Sequence, residues 1–290
     1  MSWRTVVIRN HCKLDLKLNQ MIVRGEETVK INLSEISVLI VENTAVSITA
    51  CLLSELVSRK ITVIFCDEKR NPQFELSALY GCHNSSGRIK EQMLWKEEHQ
   101  TAVWTEIVKN KILQQANVLD AIDQTRALQL KEYSKEVCVG DSTNREGHAA
   151  KVYFNGLFGL EFTRNEESAI NSCLNYGYAV LLSLVNREIV SNGYLTQLGI
   201  FHDNAQNPFN LGSDLMEPFR PCIDRQVFQL NPKRFGPEEK NEILKVLTSQ
   251  VVIDGKKQFF TNAVKIYCSS VFDALNAGDP TLIQFYTYEL

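Results

Sequence analysis

Residues 81–119 read GCHNSSG followed by RIKEQMLWKEEHQTAVWTEIVKNKILQQANVL, and the change of pattern inside this stretch decides the fold. Gly81 to Gly87 are turn formers without an apolar period. From Arg88 onward, apolar residues recur at the 3.6-residue spacing of an α-helix. Upstream the period is two: Leu14, Leu16 and Leu18 alternate with polar residues, as do Val29, Ile31 and Leu33. VLIV (38–41) and ITVIFC (61–66) add apolar runs of strand length. One helix interrupts them, because SITACLLSELVSRK (47–60) sets Ile48, Cys51, Leu52 and Leu56 at helical spacing. Downstream, helical spacing resumes around 147–158 and in SAINSCLNYGYAVLLSLVNREIV (168–190), which runs into Asn192-Gly193, a helix-ending pair. VVIDGKKQFF (251–260) carries an Asp-Gly turn between apolar runs and predicts a small hairpin before a last helix over 262–276. The expected architecture is α+β: a strand-rich N-terminal domain over 1–80, a linker over 81–87, and a helical domain over 88–290.

With 290 residues and 44% hydrophobic content, the chain can bury an ordinary globular core. No apolar run approaches the ~20 residues of a membrane-spanning helix, and the start MSWRTVVIRN lacks the apolar region of a secretory signal, so a cytoplasmic protein is expected. Eight cysteines are scattered singly with no C-x-x-C pair, a pattern of reduced core thiols rather than of a zinc knuckle or disulfide scaffold. The net charge of -3 argues mildly against a nucleic-acid binder, since such proteins are usually basic. Acidic metal ligands lower that total, however, and a local basic stripe or a basic partner supplies the same field.

Three segments of the helical half concentrate reactive groups: NREGH (144–148), LGIFHDN (198–204) and SDLMEPFRP (213–221). Each has a local reading. Thr143 and Glu146 fit the S/T-x-x-E capping box at a helix start. His202, after an apolar run, reads as a hydrogen-bonded or exposed turn histidine. Asp214 and Glu217 are three apart, which on a helix places both on one face, while Pro218 and Pro221 point to a first turn or a kink. His148 points away from Glu146 on a helix, and the stripe Leu174, Tyr178, Leu181 and Leu182 reads as core. Spacing alone leads to a β-plus-α protein with a candidate metal site.

In this order, NREGHAA, NSCLNYGYAVL (171–181), GIFH (199–202) and SDLMEPFRP, behind a strand-rich start, resemble the CRISPR-associated integrase, the universal subunit of spacer acquisition, and in particular its type II branch. The resemblance covers essentially the whole chain. It implies an endonuclease and integrase that inserts new spacer DNA into a CRISPR array in antiviral defence. It also implies an N-terminal β domain, homodimers paired through that domain, and a small ferredoxin-like partner that bridges two such pairs on double-stranded DNA. Residue by residue, the family's metal-binding glutamate falls on Glu146, its histidine on His202, and its second acidic ligand on Glu217, where many relatives have aspartate. Asp214 corresponds to a nearby acidic residue and Arg220 to a basic residue near the scissile phosphate.

Two carboxylates and an imidazole make a mostly hard donor set, suited to Mg²⁺ or Mn²⁺. The expected chemistry is in-line attack of a DNA 3′-hydroxyl on a phosphodiester, with water in its place giving hydrolysis. No Ser/His/Asp or Cys/His pattern calls for a covalent intermediate. Lys69, Arg70, Arg145, Arg220 and Arg225 are the candidates for phosphate contacts, each with a solvated surface charge as the alternative. Two rivals stay open: a free-standing metal-dependent nuclease, and a non-catalytic DNA- or protein-binding scaffold whose acidic residues cap helices.

Overall fold

The computed structural model describes residues 2–79 and 81–288; Met1 and Tyr80, which bound the expected first domain, lie outside the described residues, as do Glu289 and Leu290. The N-terminal part holds β1 (Arg4–Ile8), β2 (Lys13–Lys17), β3 (Gln20–Arg24), β4 (Thr28–Asn32), β5 (Ile36–Val41), β6 (Ser47–Ile48), α1 (Ala50–Ser58), β7 (Thr62–Cys66) and β8 (Pro72–Glu75). One sheet has the order β1-β5-β7-β8 and the other β4-β3-β2-β6. In the first, β1 and β7 flank β5 in parallel while β8 is antiparallel.

β5 is buried along its whole length, as a central parallel strand covered on both faces should be. Its alternation divides it between two cores. Leu39 and Val41 join Leu14, Met21, Leu52 and Leu56 in the strand-rich half, whereas Val38 and Ile40 pack into the core of the helical half.

The expected alternation through Leu18 fails at that residue. Leu18 and Asn19 both have left-handed backbone, with φ of 49° and 61°, and form the two-residue turn joining β2 to β3, so Leu18 is exposed. The hairpin overrides the pattern because its twist requires positive φ at both turn residues.

The helical half contains α2 (Ser85–Met93), α3 (Glu97–Leu119), α4 (Gln124–Lys135), α5 (Arg145–Phe158), α6 (Ala169–Ser191), α7 (Asn210–Leu215), α8 (Arg220–Leu230), α9 (Pro237–Leu244), the hairpin β9 (Gln250–Ile253) and β10 (Lys256–Phe259), and α10 (Phe260–Ala277). The continuous period over 88–119 is two helices, because the chain turns after Leu94 and buries Trp95, whose indole N–H donates to Asn276 Oδ1 at 2.8 Å. α3 is buried around most of its circumference and packs against α4 and α5. α6 carries the expected Leu174, Tyr178 and Leu181 into the core and ends before Gly193, whose φ is +87°.

The halves are fastened by polar contacts as well as by the shared core. Lys60 Nζ donates to the Ser191 carbonyl at 3.2 Å, and Lys240 Nζ donates to the carbonyls of Lys69 and Arg70 at 2.9 and 2.7 Å. Among the described residues, no helix is long and apolar enough to cross a membrane.

Candidate catalytic site

Glu146 lies in the first turn of α5, but the cap there is not the expected one. Asn144, in the left-handed region with φ 52°, accepts from Gly147 N at 3.2 Å, and the Asp141 carboxylate accepts from Arg145 N at 2.8 Å and Glu146 N at 3.0 Å. A Cβ at Gly147 would meet Asn144 Oδ1 at 2.7 Å, so a larger residue there would shift the capping side chain. With the orphan amides satisfied by Asn144 and Asp141, the box between Thr143 and Glu146 does not form, and the Glu146 side chain reaches across to α3. There Lys111 Nζ donates to Glu146 Oε1 at 2.5 Å.

The same ammonium lies 2.5 Å from Glu217 Oε2. Glu217 begins a short 3-10 turn, Glu217–Phe219, between α7 and α8, with Pro218 at its start. Its other oxygen pairs with Arg220 Nε at 3.0 Å, and the Arg220 guanidinium sits 4.7 Å over the Tyr178 ring. Burial pushes the Glu217 carboxyl up, but Arg220 and Lys111 outweigh it and hold the group below its ordinary value. Burial likewise pulls the Lys111 ammonium down, and Glu217 and Glu146 more than restore it.

Asp214 and Glu217 do not act as one acidic face. α7 ends at Leu215, and the Glu217-Pro218 turn sends the two carboxylates to different partners. Asp214, fully buried, accepts from the amides of Ile200, Phe201 and His202 at 2.7, 3.1 and 3.1 Å and lies 2.6 Å from His202 Nδ1. A Cβ at Gly199 would lie 2.3 Å from the His202 carbonyl oxygen, so the loop can fold this tightly over Asp214 only with glycine there. Because a carboxylate can only accept, the proton of neutral His202 is held on Nδ1 and the Nε2 lone pair is directed elsewhere. The hydrogen bond that His202 donates to Asp214 raises the His202 pKa against the opposing effect of burial, and the fields of Glu217 and Glu146 also reach it.

Glu146, Glu217 and Arg220 thus meet around Lys111, with His202 within their field. Among the described residues, no three His, Cys, Asp or Glu side chains are clustered as a metal-binding group. What stands between the two carboxylates is the Lys111 ammonium. The donor chemistry nonetheless fits a hard divalent ion, since the pair of carboxylates already holds a cation.

Of the other basic candidates, Arg145 pairs with Glu136 at 2.8 Å and covers Tyr133, and Arg225 covers Tyr288. Lys69 and Arg70 lie on the β7–β8 turn gripped by Lys240. His148 is exposed on α5.

Sequence reasoning missed Lys111, Asp141 and the aromatic pair Trp104–Phe201, which stacks at 4.3 Å beside His202. Only Lys111 carried a signal, a lysine on α3 beside Ile107, Val108 and Ile112 where an apolar residue is the default.

A family model described as CRISPR associated protein Cas1 matches residues 5–254. A CRISPR-associated endonuclease Cas1 of Neisseria meningitidis serogroup C (strain 8013) is 37% identical over 273 residues, which span 92% of this chain and 89% of that protein. Among solved structures, a casposase bound to integration product superposes with a TM-score of 0.76 at 18% identity, covering 96% of this chain and 91% of the other. A chain of a Cas6-RT-Cas1–Cas2 complex gives 0.72 at 17% identity, covering 97% of this chain and 36% of the other.

Proposed function

The chain belongs to the CRISPR-associated Cas1 family, and from that premise we propose that it is a metal-dependent DNA endonuclease and integrase that inserts spacer DNA into a CRISPR array by phosphodiester transesterification. The observation that carries this reading is the meeting of Glu146 from α5 and Glu217 from the turn before α8 on one buried cation, with Arg220 beside them. Structural caps have no need of such a meeting, and the capping work at α5 is done by Asn144 and Asp141.

Glu146, Glu217 and His202 Nε2 would hold Mg²⁺ or Mn²⁺. When bound, the ion supplies positive charge to a phosphodiester oxygen and to the leaving oxygen. Asp214 orients His202 through Nδ1 and fixes the loop by accepting three backbone amides. Arg220, braced by Tyr178 and Glu217, places a second positive charge where negative charge grows on the phosphate. In strand joining a DNA 3′-hydroxyl would attack the phosphorus, its proton passing to solvent. The new P–O bond would form as the opposite P–O bond breaks and its oxygen leaves as a protonated hydroxyl; water in place of the 3′-hydroxyl gives hydrolysis.

The functional unit is a homodimer paired through the strand-rich half, and a small ferredoxin-like partner joins two dimers on double-stranded DNA. Support for a partner comes from the Cas6-RT-Cas1–Cas2 complex, one chain of which the fold resembles, and from the net charge of -3, which is poorly suited to holding a long duplex unaided. Strand joining and donor-free cleavage, measured with Mn²⁺ on wild type and Glu146→Ala, test the function. Loss of both activities by at least ~10²-fold with DNA binding retained is expected. Near-normal joining by the variant would refute the assignment, and cleavage without any joining in wild type would favour a free-standing nuclease.

A further inference from the structure

We propose that Lys111 is the site's resident cation, which holds Glu146 and Glu217 together in the DNA-free protein and makes divalent-ion entry conditional on an anionic DNA backbone. The inference rests on the metal-dependent reading above. Lys111 projects from α3, its side chain is 11% exposed, and its ammonium stands 2.5 Å from an oxygen of each glutamate. A metal ion bridging the same oxygens and the ammonium cannot share that space.

The charge balance decides when the exchange is favourable. Lys111 and Arg220 together neutralise Glu146 and Glu217. A divalent ion added to this set leaves an excess of two positive charges in a largely buried site, and a displaced ammonium without a partner is strongly unfavourable there. A phosphodiester relieves both problems, because it draws the ion into the site and offers the swung-out ammonium an anion. The flexible four-carbon stem of lysine permits the swing without moving α3. DNA and metal should therefore bind with positive coupling, and by linkage each should raise the affinity for the other equally. Metal-free protein keeps its carboxylates paired, and metal-loaded protein without DNA, which could cut indiscriminately, is disfavoured.

The test is Mn²⁺ titration of the full chain, followed by the EPR signal of free Mn²⁺, with and without a short blunt DNA duplex. Wild type, Lys111→Met, Lys111→Gln and Glu146→Ala are compared after near-UV circular dichroism has shown each to be folded; Glu146→Ala with duplex measures the Mn²⁺ that DNA takes up by itself. Wild type should gain about 10-fold or more in Mn²⁺ affinity when duplex is added, within the usual range of coupled binding. The neutral Lys111 variants should bind Mn²⁺ without DNA about 10-fold more tightly than wild type and lose most of the gain from DNA. They should also melt at lower temperature than wild type without metal and recover with Mn²⁺, since the buried Glu217 and half-buried Glu146 regain a cation. Lys111 variants that bind Mn²⁺ no more tightly than wild type, or that keep the full gain from duplex, overturn the proposal while leaving the metal reading intact. Absence of Mn²⁺ binding above the Glu146→Ala control, in wild type and Lys111 variants alike and in both states, overturns the metal reading and this proposal with it.

Discussion

The strand-rich half closes on an apolar interior, whereas the helical half carries several charges into its own. In the first, Leu14, Met21, Leu39 and Leu52 are fully buried, and the buried carboxylate is Glu42 at the end of β5, with Arg9 at 3.4 Å and Arg70 at 3.9 Å. In the second, the charged Lys111, Asp214 and Glu217 are buried, as are the ionisable carboxyls of Glu188 and Asp224, which burial pushes towards their neutral forms. A buried ion pair rarely stabilises a fold more than well-packed apolar residues of the same volume would. The concentration of charge around α3 and α8 is therefore better explained by use than by stability, while Glu42, beside Arg9 and Arg70, stands apart from that cluster.

Substitutions should separate the halves along this line. The largest change in stability is expected from Leu39→Ala, which empties a fully buried position of the central strand and should cost about 2–5 kcal/mol in denaturant unfolding. Strand joining per folded molecule should stay normal, and a loss of joining without a loss of stability would break the comparison. Asp214→Asn should behave in the opposite way. It removes an acceptor from the loop amides and from His202, so joining should fall by about 10- to 100-fold in a protein that still folds. Unchanged joining rates would show that His202 needs no such bracing.

A smaller effect concerns Asp224 on α8. Burial pushes its carboxyl up from 3.8 to about 7, against the pull of Tyr178, Arg220, Tyr153 and Arg164. The folded chain keeps this proton over a range in which the unfolded chain has lost it, so stability should fall as pH rises from about 4 to about 7 and level off above. Asp224→Asn mimics the protonated form, and melting temperature followed from pH 5 to pH 8 should then fall less steeply; an identical slope would refute the assignment. Smallest of all, Arg145→Ala removes a partly exposed pair with Glu136 and should change stability by less than about 1 kcal/mol, as thermal melting would read.

What the sequence revealed differs between these regions for physical reasons. The change from a period of two to 3.6 is a local property, so the order of strands before helices was legible, as were the hairpin at Asp254-Gly255 and the end of α6 before Gly193. The break between α2 and α3 was not, because no proline or glycine marks it and its cause is tertiary: Gln92 donates to the carbonyls of Leu195 and Leu198. Leu18 was misread since its turn geometry outranks its apolar side chain. At the site, the resemblance singles out Glu146, His202 and Glu217, and the structure brings Glu146 and Glu217 together on Lys111, but their surroundings were not legible. Thr143 looked like the cap, yet Asn144 and Asp141 do that work, and Asp214 looked like a neighbour of Glu217 until the Glu217-Pro218 turn separated them. Lys111 meets Glu146 across 35 residues of sequence, a contact that periodicity carries no information about.

The most direct test sets two buried glutamates, one from each half, against each other: Mn²⁺-dependent strand joining by Glu217→Gln and by Glu42→Gln, each normalised to folded protein. Glu217→Gln should join at least ~10²-fold more slowly than wild type, and Glu42→Gln should remain within about 3-fold of it. Equal rates for the two variants, or normal joining by Glu217→Gln, would contradict the claim that the charge buried in the helical half is there for chemistry.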